Sequence, residues 1–177
     1  MKKISTIWLG GCSGCHMSLL DIDEQLIEVL KDVKIVKSTP IVDVKDFPQA
    51  DIGIVEGAVA TREDEENLKK MRENCKILVA IGDCACFGGI TSYRNLFEKE
   101  EVLSRVFIES ESTEKGKIPQ SKFIPPLLEK VKPANAVVNI DCYIPGCPPN
   151  AKVILYALKE LLAGRIPILP SEMASFE

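Results

Sequence analysis

Four short stretches of this chain set cysteines among glycines and prolines: Gly11-Cys12-Ser13-Gly14-Cys15, Gly82-Asp83-Cys84-Ala85-Cys86, Asp141-Cys142 and Pro145-Gly146-Cys147-Pro148-Pro149. They hold six of the seven cysteines. Thiolates at loop positions suit an iron–sulfur cluster, because loops can turn four sulfurs toward one point. A cysteine that only packs behaves as a small hydrophobe and sits inside a strand or helix. The pattern therefore points to chemistry more than to packing.

Composition narrows the setting. The 177 residues are 46% hydrophobic, enough for one core, and the net charge of −4 with no basic stripe argues against nucleic acid. Paired cysteines in a short secreted chain suggest disulfides; here the count is odd and the spacings are CxxC and CxC, which read as metal or redox work. Lys2-Lys3 and the apolar run Ile4–Leu9 mimic a signal peptide, but six residues fall short of the roughly 7–15 that a secretory segment needs. No run approaches the roughly 20 apolar residues of a membrane span, so the reading is a cytoplasmic protein with no membrane association.

The elements that must position the cysteines alternate. Continuous apolar runs at 3–9, 33–36, 51–55, 77–81 and 136–140 read as buried strands. Helical periodicity marks 17–30, the charged stretch 62–73, and 151–163. Alternation of this kind implies an α/β, flavodoxin-like three-layer fold with a parallel sheet, and the expected strand order is 2-1-3-4-5. Cys12 and Cys15 then follow the first strand, Cys84 the fourth, and Cys142 and Cys147 the fifth. Ligands of open α/β sheets bind outside the carboxyl ends of the strands, so cysteines distant in sequence meet at one edge. Residues 1–177 are expected to form a single domain. A surface excursion at about 91–122, with a short helix near 96–106, interrupts it.

Taken together, CxxC, Gly82-x-Cys84-x-x-x-Gly88-Gly89 and Pro145-Gly146-Cys147-Pro148-Pro149 closely resemble the small subunit of [NiFe]-hydrogenases, along the whole chain. The resemblance implies that Cys12, Cys15, Cys84 and Cys147 hold one [4Fe-4S] cluster. The same thiolates are also the donor set of a structural zinc site. Gly10, Gly11 and Gly14 would let the backbone pass close to a cluster, and Pro148-Pro149 would stiffen the loop of the fourth ligand. Cys75 reads as an ordinary thiol. Cys86 and Cys142, beside ligands, are read as alternative ligands or redox-sensitive neighbours. His16 reads as a donor to the cluster or a helix-start residue. Glu56 closes the third strand, where a role in proton movement competes with a capping or interface carboxylate.

Ending at Glu177, the sequence is similar to the minimal small subunits of soluble, NAD-linked hydrogenases, including electron-bifurcating ones. The resemblance implies a subunit that is not catalytic alone and relays electrons from H2 oxidation. Its partners would be a large subunit with the NiFe centre and diaphorase-type subunits with FMN and further clusters. Two alternatives are a complex I-like quinone-site iron–sulfur subunit of the 20 kDa type and an FMN-binding flavodoxin-like carrier. The former family opens its motif with adjacent cysteines, whereas this chain has Cys12-Ser13-Gly14-Cys15. The latter needs a Ser/Thr-rich phosphate loop after the first strand, where this chain has thiols.

Overall fold

A computed structural model describes residues 1–39 and 41–173. Five parallel strands form the main sheet: β1 (Lys2–Trp8), β2 (Val33–Ser38), β3 (Ala50–Glu56), β5 (Cys75–Ile81) and β7 (Cys142–Ile144). They lie in the order β2-β1-β3-β5-β7, which matches the order expected from the sequence. β3 and β5 are buried along almost their whole length, as strands covered on both faces must be.

Helices cover both faces. On one, Ile4, Ile52, Ile54, Val79 and Ile81 pack against Val29 of α2 (Glu24–Leu30) and the apolar stripe Val153, Ile154, Ala157, Leu158 and Leu161 of α6 (Ala151–Leu162). On the other, Ile7, Val55, Leu78 and Ala80 pack against Leu68 and Met71 of α3 (Arg62–Asn74) and Ala85 of α4 (Gly82–Phe87). Local chemistry starts the long helices where the sequence says it should. Thr61 and Asp64 cap α3 reciprocally, with Asp64 N–H donating to Thr61 Oγ1 at 3.1 Å and Thr61 N–H donating to Asp64 Oδ2 at 2.8 Å. Asn150 Oδ1 accepts the Lys152 N–H at the head of α6.

Three readings are corrected. The single helix expected over 17–30 is two, α1 (Gly14–Leu20) and α2, separated by a turn in which Asp23 adopts φ 56°. Asp tolerates positive φ and competes for local backbone bonds, so Asp21 and Asp23 interrupt a period that the apolar residues alone would continue. The strand expected over 136–140 is not there. A 3₁₀ turn spans Ala134–Ala136, and pairing with β5 starts only when Asp141 N–H reaches the Leu78 carbonyl at 2.9 Å and its Oδ2 accepts the Leu78 N–H at 2.7 Å. The strand is Cys142–Ile144, so Cys142 lies within it rather than after it. Finally, β4 (Val59–Thr61) and β6 (Leu127–Lys132) form an antiparallel ribbon that the sequence reading did not separate from its surroundings. Within the excursion, a 3₁₀ helix over Ile90–Leu96 precedes α5 (Lys99–Phe107). The excursion is tied to β6 by Asn95, whose side chain bonds both the N–H and the carbonyl of Val131.

Candidate iron–sulfur site

Three loops and one strand end meet at the carboxyl edge of the sheet. The loop after β1 carries Cys12 and delivers Cys15 into the first turn of α1. β3 ends at Glu56, β5 runs into α4 with Cys84, and β7 runs into Pro145–Pro149 with Cys147. Cys15 is buried, Cys84 half-buried, and Cys12 and Cys147 exposed.

The Cys15 thiol marks the centre. A Cβ placed on Gly82 would stand 2.2 Å from Cys15 Sγ and 3.5 Å from the Gly146 carbonyl oxygen, so three loops touch there through backbone and sulfur alone. Burial pushes the Cys15 thiol far above its ordinary range, and the negative charges of Glu56, Cys12, Cys84 and Cys147 push it further. Cys147 is raised by burial and by Cys84, Asp83 and Cys12. Four thiols that oppose one another's ionisation are a site the protein leaves short of positive charge; iron supplies it, and a coordinating thiol is deprotonated outright. Among the described residues, no three His, Cys, Asp or Glu groups stand close enough to hold a single ion. A lone zinc requires its sulfurs about 2.3 Å from one centre, whereas a cubane spreads its four ligands around a cluster. The donor set fits an iron–sulfur cluster.

A buried polar chain anchors the first loop. Glu56, 2% exposed, accepts the Cys15 N–H at 3.1 Å and the His16 N–H at 2.9 Å and pairs with His16 Nδ1. His16 Nε2 meets Thr6 Oγ1 at 3.0 Å, and Thr6 meets Ser38 Oγ at 2.8 Å. Burial alone would raise the Glu56 carboxyl; the His16 ring and the two N–H groups outweigh it and hold the group below its ordinary value. Both ring nitrogens of His16 are thus engaged away from the sulfurs, and Glu56 acts as the cap of α1 from a distant strand.

The remaining cysteines are core. Cys86 Sγ bonds the Ala80 carbonyl at 3.5 Å, and burial pushes its thiol up to about 12. Cys142 and Cys75 are raised to about 11 by burial. Two positioning features escaped the sequence reading. Ser18 Oγ donates to the Pro149 carbonyl at 2.6 Å, and Asp83, visible only as the residue between Gly82 and Cys84, bonds Gly146.

Comparison with known proteins agrees with this geometry. The family model described as NADH ubiquinone oxidoreductase, 20 Kd subunit, matches residues 12–161, from Cys12 to the end of α6. The chain belongs to this family. Within the 20 kDa subunit family, a similar protein is a subunit of the F420-non-reducing hydrogenase vhu of Methanocaldococcus jannaschii, 44% identical over 176 residues. The match takes in 99% of this chain and 61% of that protein. The delta subunit of the NAD-reducing hydrogenase HoxS of Cupriavidus necator is 39% identical, with 99% of this chain and 85% of the relative covered. A crystal structure of an NAD+-reducing [NiFe]-hydrogenase in the H2-reduced state contains a chain that superposes with a TM-score of 0.95 at 38% identity over 99% of both chains. The chain spans about 56–61% of the length of the methanogen relatives it matches. A [NiFeSe]-hydrogenase of Dm. baculatum, at 16% identity and a TM-score of 0.62, shares the fold.

Proposed function

We propose that this chain is the electron-relaying small subunit of a cytoplasmic [NiFe]-hydrogenase, a single unit over residues 1–177 that holds one [4Fe-4S] cluster on Cys12, Cys15, Cys84 and Cys147. The observation that carries the reading is the convergence of these four thiols, from sequence-distant loops, on the carboxyl edge of the sheet, around a buried Cys15. When bound, such a cluster takes up and passes on one electron at a time.

The residues of this chain supply the rest. Glu56 fixes Cys15 and His16 by their backbone N–H groups. Pro148-Pro149 enters α6 without donors of its own, and Ser18 holds that loop from the side. Trp8 at the end of β1 and Phe87 at the end of α4 are 39% and 65% exposed on the same edge as Cys12 and Cys147. Large apolar side chains beside exposed ligands suit a partner surface that keeps water from the cluster. The partner on this reading is a large subunit with the nickel–iron centre. The NAD-reducing relatives favour diaphorase-type flavin and iron–sulfur subunits as the next carriers. Among the described residues, no helix is long and apolar enough to cross a membrane.

The alternatives fit less well. An FMN phosphate would meet Glu56 and several thiols at this edge, where a flavodoxin-like carrier needs hydroxyls and free N–H groups. A quinone-site subunit belongs to the same family, but the relatives described above are hydrogenase subunits. The test is anaerobic purification of the complex with iron, sulfide and EPR analysis, followed by assay of H2 oxidation with NAD, with ferredoxin plus NAD, and with a soluble quinone. We expect NAD reduction and four irons on this chain. Reduction of quinone alone, or zinc in place of iron on this chain, would overturn the proposal.

A further inference from the structure

The residue before Cys84 is tied to the residue before Cys147. Asp83 N–H donates to the Gly146 carbonyl at 2.9 Å, and Gly146 N–H donates to Asp83 Oδ1 at 2.7 Å, closing a two-point clamp between positions 63 residues apart. β5 and β7 pair over only three residues, and the last pair is Ile81 with Ile144. Beyond it the backbones diverge into α4 and the Pro145–Pro149 loop. The clamp carries the tie two residues past the ladder, a side-chain carboxylate standing in for a backbone acceptor. The loop it grips is tightly constrained: Gly146 has φ 138°, and a Cβ there would stand 2.6 Å from Pro149 Cα. From the other side Ser18 holds the Pro149 carbonyl.

We propose that Asp83 is a positioning residue for the cluster, its carboxylate and its own N–H together setting the separation and orientation of Cys84 and Cys147. This rests on the reading of both cysteines as ligands. A bond to an ionised acceptor is shorter and stronger than a neutral one, and it is directional, so the reach of the side chain matters as much as its charge. Asp83→Asn keeps an oxygen at the same reach; Asp83→Glu keeps the charge but lengthens the arm; Asp83→Ala removes the acceptor.

The full chain is reconstituted anaerobically with iron and sulfide, and iron per chain and the EPR spectrum of the reduced protein are measured for all three variants, with circular dichroism to confirm folding. We expect Asp83→Asn to retain the wild-type iron content and line shape. Asp83→Ala and Asp83→Glu should lose at least half of the iron or show altered g-values. The proposal is overturned if Asp83→Ala matches wild type, or if Asp83→Glu matches wild type while Asp83→Asn does not. Cys84→Ser and Cys147→Ser, run in parallel, separate the two levels: if neither disturbs the cluster, the ligand reading fails, whatever Asp83 does. Should Asp83→Ala not fold, the contrast between the Asn and Glu variants decides.

Discussion

Gly82→Ala tests the packing at the centre of the site. Gly82 has φ 82°, where an L side chain costs about 1–2 kcal/mol. Its Cβ would stand 2.2 Å from Cys15 Sγ, whereas non-bonded heavy atoms rest about 3.5–4.0 Å apart. The sulfur must therefore move by more than an ångström. It cannot move freely, because Glu56 holds the Cys15 N–H and the residue is buried. Overpacking of this kind costs about 1–3 kcal/mol, so the variant should be destabilised by about 2–5 kcal/mol. Gly164→Ala is the control: φ is 80°, but nothing lies within 4 Å of its Cβ. It should cost only the backbone term, about 1–2 kcal/mol. Urea unfolding of the metal-free chains gives both values, and reconstitution gives iron per chain. Gly82→Ala should also fail to hold four irons, while Gly164→Ala should not. Equal stability of the two variants, with a full cluster in each, would refute the placement of Cys15 against Gly82.

Two further outcomes follow from the structure. Serine at Cys12, Cys15, Cys84 or Cys147 should abolish or convert the cluster. At Cys75, Cys86 or Cys142 it should leave iron and EPR unchanged while costing roughly 1–3 kcal/mol, since a hydroxyl would replace a buried thiol; iron analysis and urea unfolding check both halves. Asp51 is held at about 2, first by the Lys3 N–H at 2.9 Å and then by Lys76 at 2.8 Å. Its stabilisation is present above its ordinary value of 3.8 and is lost as pH falls from there through about 2. Asp51→Asn should therefore cost less than about 1 kcal/mol at pH 7, as a surface pair does, and should flatten the acid limb of a stability profile over that window.

The long elements were legible because each obeys a local rule: α3 has a capping box and a charged face, α6 an apolar stripe behind Asn150, and β3 and β5 continuous apolar runs. The site cysteines were legible for a related reason, since turns need Gly and Pro, and thiols set among them have no packing role. The misread elements are those in which a local rule met a tertiary one. The run at 136–140 is apolar enough for a strand, but Asp141 decides where the chain joins β5, by bonds to Leu78, 63 residues earlier. Ile22 extends the helical period of α1, yet it is buried in the turn that breaks the helix at Asp23.

By itself, then, the sequence determined the alternation that makes a parallel sheet, the edge at which loops collect, and the thiols that collect there. Only the tertiary structure decided how those thiols are held. Glu56 meets Cys15 across 41 residues, Asp83 meets Gly146 across 63, and Ser18 meets Pro149 across 131. Such bonds carry no signature in spacing or propensity, because they depend on which strand ends become neighbours once the apolar faces on both sides of the sheet are buried.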